Sequence, residues 1–182
     1  MLGIRCEYLL LVGQNQPSKG HEVALRALAR AGVSNLCLVF VQRRNVANGL
    51  LGLARDLGVV HRVRFLSEVP RPELVSLMQG AVALLQPSSD EGFGLPALEA
   101  AACGCPVLAS DVPVLREVLG DAALYVPARD VSAWSSAIIE ISANVQLSDK
   151  LRLRGPERAA NFTWDKTAER TLQVYRDALR AS

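Results

Sequence analysis

The chain has 182 residues, half of them hydrophobic, with a formal net charge of +2. That length suits one domain with a sizeable core, and an aromatic share of 5% makes the core mainly aliphatic. No basic tract points to nucleic acid, no acidic tail is present, and no apolar run approaches the length of a membrane span.

Along the chain, apolar runs at 8–12, 36–41, 63–66, 82–86, 107–109 and 124–126 read as strands. They are continuous rather than alternating, as expected of parallel strands covered on both faces. Helical patterns fall between them, at 21–31, 50–57, 73–78, 96–102 and 114–119. This alternation predicts an α/β fold: a Rossmann-like, doubly wound parallel sheet of about six strands, with ligands at the carboxyl ends of the strands. Three loops at such ends carry suggestive chemistry. They are the stretch 13–21, the Gln42-Arg43-Arg44-Asn45 segment, and the loop around Glu91.

Beyond residue 131 the pattern is purely helical. Trp134, Ala137, Ile138 and Ile141 share one face, and a second helix is expected over 148–161. After Phe162 comes a last helix, for which Thr163 is a candidate N-cap, with an apolar stripe of Ala168, Leu172, Tyr175 and Leu179. The whole, 1–182, reads as one domain with 160–182 as a helical extension, without internal repeats. The sequon at Asn161 reads as chance. Cys6, Cys37, Cys103 and Cys105 lack scaffold spacing, so no disulfide framework is expected. The first residues lack signal-peptide organisation, which makes a cytoplasmic location the expectation. Cys103 and Cys105 could form a metal or redox pair, but neither histidine, His21 or His61, lies near them in sequence. Small side chains where a helix gives way to a strand is the simpler reading.

The stretch 88–107, Ser-Ser-Asp-Glu-Gly-Phe-Gly-Leu-Pro-Ala-Leu-Glu-Ala-Ala-Ala-Cys-Gly-Cys-Pro-Val, is the most informative. Glu91 and Glu99 bracket a glycine-rich turn and a helix start. Gly92 and Gly94 lack a Cβ and let the backbone approach a ligand. Pro96 suits a first helical turn, whose unpaired N–H groups and positive dipole end make an anion site. A phosphate cradle between two carboxylates matches a ligand with phosphate in the middle and hydroxyls at both ends, such as a nucleotide sugar. A glycosidase would set both carboxylates about one bond. Glu91 in a loop and Glu99 two turns into a helix suit two parts of one ligand better.

This stretch resembles the Glu-x7-Glu signature of the GT-B retaining glycosyltransferases of family 4 (glycosyl transferases group 1), and the resemblance extends over nearly the whole chain. It implies a hexosyltransferase-type donor domain. Glu91 would contact the donor sugar hydroxyls and Glu99 the ribose hydroxyls. The N–H groups of Gly92, Phe93, Gly94 and Leu95 would face the sugar and the diphosphate. The Phe93 ring itself is expected to pack inward. Lys19 follows a strand and a glycine just before a helix, where an ammonium can neutralise a diphosphate leaving group, and the family has a lysine there. Gln14 stands where the family has an arginine, so one expected cation is missing. Arg43 and Arg44, replacing a glycine-rich loop, are candidate substitutes, although a solvated pair is the simpler reading. His21, beside this loop, reads as a helix cap or surface residue before a ligand contact. The loop 66–70 resembles the segment that borders the nucleobase.

No Asp-x-Asp motif is present, and the resemblance points to metal-independent transfer with retention and no cofactor beyond the donor substrate. It also implies an absent N-terminal GT-B domain, or a partner chain, that binds most of the acceptor. The chain alone would then have little or no activity, and the full enzyme would sit peripherally at the inner membrane face. In the family the last helix packs back on that domain; here its stripe could dock elsewhere, fray or pair two copies, or simply cover its own domain. Two other readings stay open: a non-catalytic interaction module or split-enzyme subunit, and a nicotinamide-dependent dehydrogenase. The first loop lacks Gly-x-Gly-x-x-Gly, which argues against the latter. Base, sugar and acceptor are not legible.

Overall fold

Continuous apolar runs become strands, and those at 36–42, 83–86 and 107–110 are buried at every residue. The computed structural model describes residues 4–43 and 48–181. Its strands are β1 (Glu7–Val12), β2 (Leu36–Gln42), β3 (Val63–Ser67), β4 (Ala83–Gln86), β5 (Val107–Ser110) and β6 (Leu124–Val126). They form one sheet in the order β3-β2-β1-β4-β5-β6, with every neighbouring pair parallel. The chain starts in the middle of the sheet, builds outward to β3, then returns to lay β4 on the other side of β1. The direction of growth reverses between β1 and β4, where open α/β sheets hold their ligands.

Helices α1 (His21–Ala31), α2 (Asn48–Asp56), α3 (Arg71–Gly80), α4 (Leu95–Ala102) and α5 (Pro113–Leu119) alternate with the strands. Helices α6 (Val131–Ala143), α7 (Val145–Ala159) and α8 (Trp164–Ala181) follow. Successive strand side chains point to opposite faces, so two cores form. Leu9, Leu11, Leu38 and Phe40 join Trp134 and Ile138 of α6 on one face. Leu10, Val39, Val41 and Leu84 join Ala97, Ala101 and Leu115 on the other.

The expected elements are present, with shifted ends. α7 begins at Val145 rather than 148, because the Asn144 side chain caps it by accepting the Leu147 N–H at 3.0 Å. It packs so closely on α4 that a Cβ on Gly155 would lie 2.6 Å from the Ala101 carbonyl oxygen. Thr163 caps α8 as expected, its Oγ1 accepting the Lys166 N–H at 3.2 Å.

One expectation is corrected here. Cys6 and Cys37 form a disulfide, with Cα atoms 6.3 Å apart. Their sequence spacing carries no such signal. The parallel register sets Tyr8 opposite Cys37, which brings Cys6, just before β1, beside it. Of the alternatives left open for α8, covering its own domain is the one the structure goes against, because Leu172, Tyr175 and Leu179 are exposed. No helix among the described residues is long and apolar enough to cross a membrane.

Candidate functional site

At the reversal point two loops meet. The first follows β1, makes a tight 3-10 turn over Pro17–Lys19 and enters α1 through Gly20 at φ 68°. The second follows β4. Gly20 sits directly on Pro87: a Cβ there would fall 2.1 Å from the Pro87 carbonyl oxygen. Only glycine meets both the left-handed backbone and the close approach. The Ser89 N–H donates to the Ser18 carbonyl at 2.8 Å and knits the loops a second time.

That seam puts Lys19 against Glu91, with Nζ 2.8 Å from Oε2. The Glu91 side chain is only 7% exposed and that of Lys19 30%. Glu91 Oε1 accepts from Gln86 Nε2 at 2.5 Å and from the Ser88 hydroxyl at 2.7 Å. Gln86 Nε2 also reaches Ser88 Oγ at 3.0 Å. Glu91 and Lys19, both singled out from sequence, are thus brought together as one half-buried charge pair. Gln86 and Ser88 were missed. A buried polar residue closing an apolar strand (Gln86) was the available signal.

His21 corrects its expectation. It is 1% exposed and stacks on Phe40 with ring centroids 5.5 Å apart. The Gly13 carbonyl lies 3.1 Å from Nε2, so that nitrogen carries the proton and donates. Burial lowers the His21 pKa, the Gly13 hydrogen bond opposes this in part, and nearby Lys19 lowers it further. The ring fastens the start of the first loop from beneath.

His21 Nδ1, Gln42 Nε2, Gln86 Oε1 and Ser110 Oγ are buried without a hydrogen-bond partner among the described residues. Gln42, Gln86 and Ser110 are the last residues of β2, β4 and β5, and His21 opens α1. Buried polar atoms are ordinarily paired. Their concentration at the carboxyl end of the sheet marks that end as built for polar chemistry.

α4 starts at Gly94, with φ 88°, no side-chain cap and Pro96 in its first turn, leaving the positive end of its dipole uncapped by a side chain. The two glycines differ in purpose. A Cβ on Gly94 would strike Leu115 Cδ2 at 2.5 Å, so its bareness serves packing; one on Gly92 would meet nothing within 4 Å. Leu95 is exposed, and the Phe93 ring touches Phe162 edge-on at 5.8 Å yet stays 40% exposed. The expected inward packing of Phe93 is therefore only partial. Glu99 lies in the second turn of α4, one turn in rather than two, and is exposed. Arg71, at the start of α3 and not anticipated, comes within 4.0 Å of it.

Gln14 is half-buried on the first loop and Arg43 is exposed at the end of β2, whereas Arg44 and Asn45 lie outside the described residues. In the 66–70 loop, Glu68 takes a left-handed φ of 55° and donates its N–H to the Gln42 carbonyl at 3.3 Å. Cys103 ends α4, and Cys105 is buried, its thiol pushed up to about 12 chiefly by that burial. Both fit the reading as small side chains at a helix end. Among the described residues no three His, Cys, Asp or Glu side chains gather as a metal cluster would require.

Comparison with known proteins adds independent findings. Residues 5–158 match the family described as Glycosyl transferases group 1. The D-inositol 3-phosphate glycosyltransferase of Corynebacterium diphtheriae is 35% identical over 96% of this chain and 43% of its own length. That of Acidothermus cellulolyticus is 37% identical over 94% and 41%. Among solved structures, sucrose-phosphate synthase from Thermosynechococcus elongatus superposes with a TM-score of 0.88 at 30% identity, over 98% of this chain and 47% of that one. The chain spans less than half the length of these relatives.

Proposed function

We propose a specific role for this chain, which belongs to the glycosyl transferases group 1 family: it is the donor-binding half of a family 4 glycosyltransferase that transfers a hexosyl group from a nucleotide sugar with retention. The observation that carries the proposal is the Lys19–Glu91 pair, which joins the loops after β1 and β4 where the strand order reverses. The donor lies across that point. Glu99 takes the ribose hydroxyls. The uncapped start of α4 and Lys19 take the diphosphate, and Glu91 with the backbone from Gly92 to Leu95 takes the sugar. Gln14 reaches the same diphosphate as a neutral donor in place of a cation. As the glycosidic bond breaks, charge grows on the departing diphosphate, and the Lys19 ammonium together with the α4 dipole stabilises it there. On this reading the donor is the only small molecule required, with no resident metal or cofactor.

The acceptor side belongs to the remainder of the enzyme, whether fused or a separate chain. The exposed Leu172, Tyr175 and Leu179 of α8 fit a helix that needs such a partner. The polypeptide alone is inactive in this proposal, and turnover on any acceptor would overturn that part of it. A cytoplasmic site with peripheral attachment stays within the proposal. The Cys6–Cys37 bond weighs against it, because disulfides persist in oxidising compartments.

Calorimetric titration with UDP, GDP, ADP and their sugar conjugates tests the reading, beside Glu99→Ala. Saturable binding of one nucleotide that weakens roughly tenfold or more in the variant supports it, since a charged hydrogen bond has been removed. An unaffected variant, or no binding at all, sinks it and leaves a fold kept for interaction alone.

A further inference from the structure

We propose that Gln86 and Ser88 are positioning residues that decide which oxygen of Glu91 meets the donor sugar, and that Lys19 occupies the sugar's place until the donor arrives. This rests on the donor-binding reading above. The two oxygens of Glu91 are served by different kinds of group. Oε1 takes two hydrogen bonds from within, from the Gln86 amide at 2.5 Å and the Ser88 hydroxyl at 2.7 Å. Both donors are almost wholly buried at the end of β4 and just past it, so neither can follow a ligand outward. The Gln86 amide also reaches Ser88 Oγ at 3.0 Å, which closes a triangle of three groups. The direction of that amide is dictated as well. Turned over, it would aim a carbonyl oxygen at a carboxylate.

Among the described residues, Oε2 meets the Lys19 ammonium, 2.8 Å away, which comes from the other loop and is nearly one-third exposed. A sugar hydroxyl donates a proton to a carboxylate as an ammonium does. Oε2 is therefore the oxygen that faces the sugar, and Lys19 stands in for its hydroxyls. Donor binding becomes an exchange. The ammonium swings from Oε2 to the diphosphate on its flexible stem, and sugar hydroxyls replace it. Each charge keeps a partner throughout, and no backbone has to move. Without the inner pair, the carboxylate is free to rotate and presents no fixed acceptor to the sugar.

The test compares each bare nucleoside diphosphate with its glucose and mannose conjugates on the full chain, for Gln86→Met, Ser88→Ala and Ser88→Thr. The expected result is a conjugate affinity lowered roughly tenfold in Gln86→Met and in Ser88→Ala, with the bare diphosphate held within about threefold. Ser88→Thr, which keeps the hydroxyl, recovers most of the loss. A purely structural role would weaken conjugate and bare diphosphate together. That outcome, or unaltered binding of both, overturns the inference while the donor-binding reading stands. A wild-type chain that binds none of these nucleotides removes the reading itself and the inference with it.

Discussion

Replacing Gly20 with alanine isolates the contact on which the site geometry depends. Gly20 has φ 68°, and a Cβ there would lie 2.1 Å from the Pro87 carbonyl oxygen and 2.9 Å from its carbon. Gly32, at the other end of the same helix, has φ 66° and open space around it. Both substitutions incur the left-handed backbone cost, about 1–2 kcal/mol. Both also gain the same small benefit from a stiffer unfolded chain. Only Gly20→Ala adds the clash, against backbone that is tied down on both sides, worth about 3 kcal/mol at the upper end of overpacking costs. For a domain of this size each kcal/mol moves the Tm by about 2–4 °C. Gly20→Ala should therefore melt roughly 6–12 °C below Gly32→Ala in scanning calorimetry, with the urea midpoint lowered to match. It should also lose nucleotide binding, because the loops part and carry Lys19 away from the diphosphate site. Equal melting of the two variants would refute the claim that the seam at Pro87 is tightly packed.

Two further outcomes are open to direct measurement. The His21 pKa is lowered in the folded chain, so between that value and the ordinary 6.5 the unfolded chain binds a proton that the folded one refuses. Its contribution is complete above 6.5 and is lost as pH falls through that window. Urea titrations at pH 7.5 and 5.5 should show this loss, and His21→Gln should show a smaller one; identical pH dependence would place the proton elsewhere. Reducing the Cys6–Cys37 bond frees a loop with a sequence separation of 31 residues. By the chain-entropy relation this lowers stability by roughly 3–4 kcal/mol, seen as a lower urea midpoint in dithiothreitol that Cys6→Ser reproduces and the reductant does not deepen.

Read from sequence alone, this protein's fold class and most of its site loops were legible, because their signals are local. A continuous apolar run such as 36–41 reports a strand covered on both sides, and 21–31 reports a helix, within a few residues of chain. The Glu91–Glu99 stretch is local in the same sense: glycine, proline and carboxylates stand at the spacing a turn and a helix start require. The Asn144 cap was missed, although it too is local, because the apolar pattern placed the helix start later.

Only the tertiary structure decided which side chains meet. Sheet order places the loop after β1 beside the loop after β4, and from that single adjacency come the Lys19–Glu91 pair, the close seat of Gly20 on Pro87, and the enclosure of Glu91 by Gln86 and Ser88. The same holds for His21, whose sequence position at a helix start suggests solvent but whose ring is closed in against Phe40 of β2. The parallel register makes a disulfide of two cysteines whose spacing says nothing, and the α8 stripe stays exposed. Periodicity records how each segment is to be buried. It carries no record of which other segment will bury it, because that choice is made by the summed packing of the whole sheet.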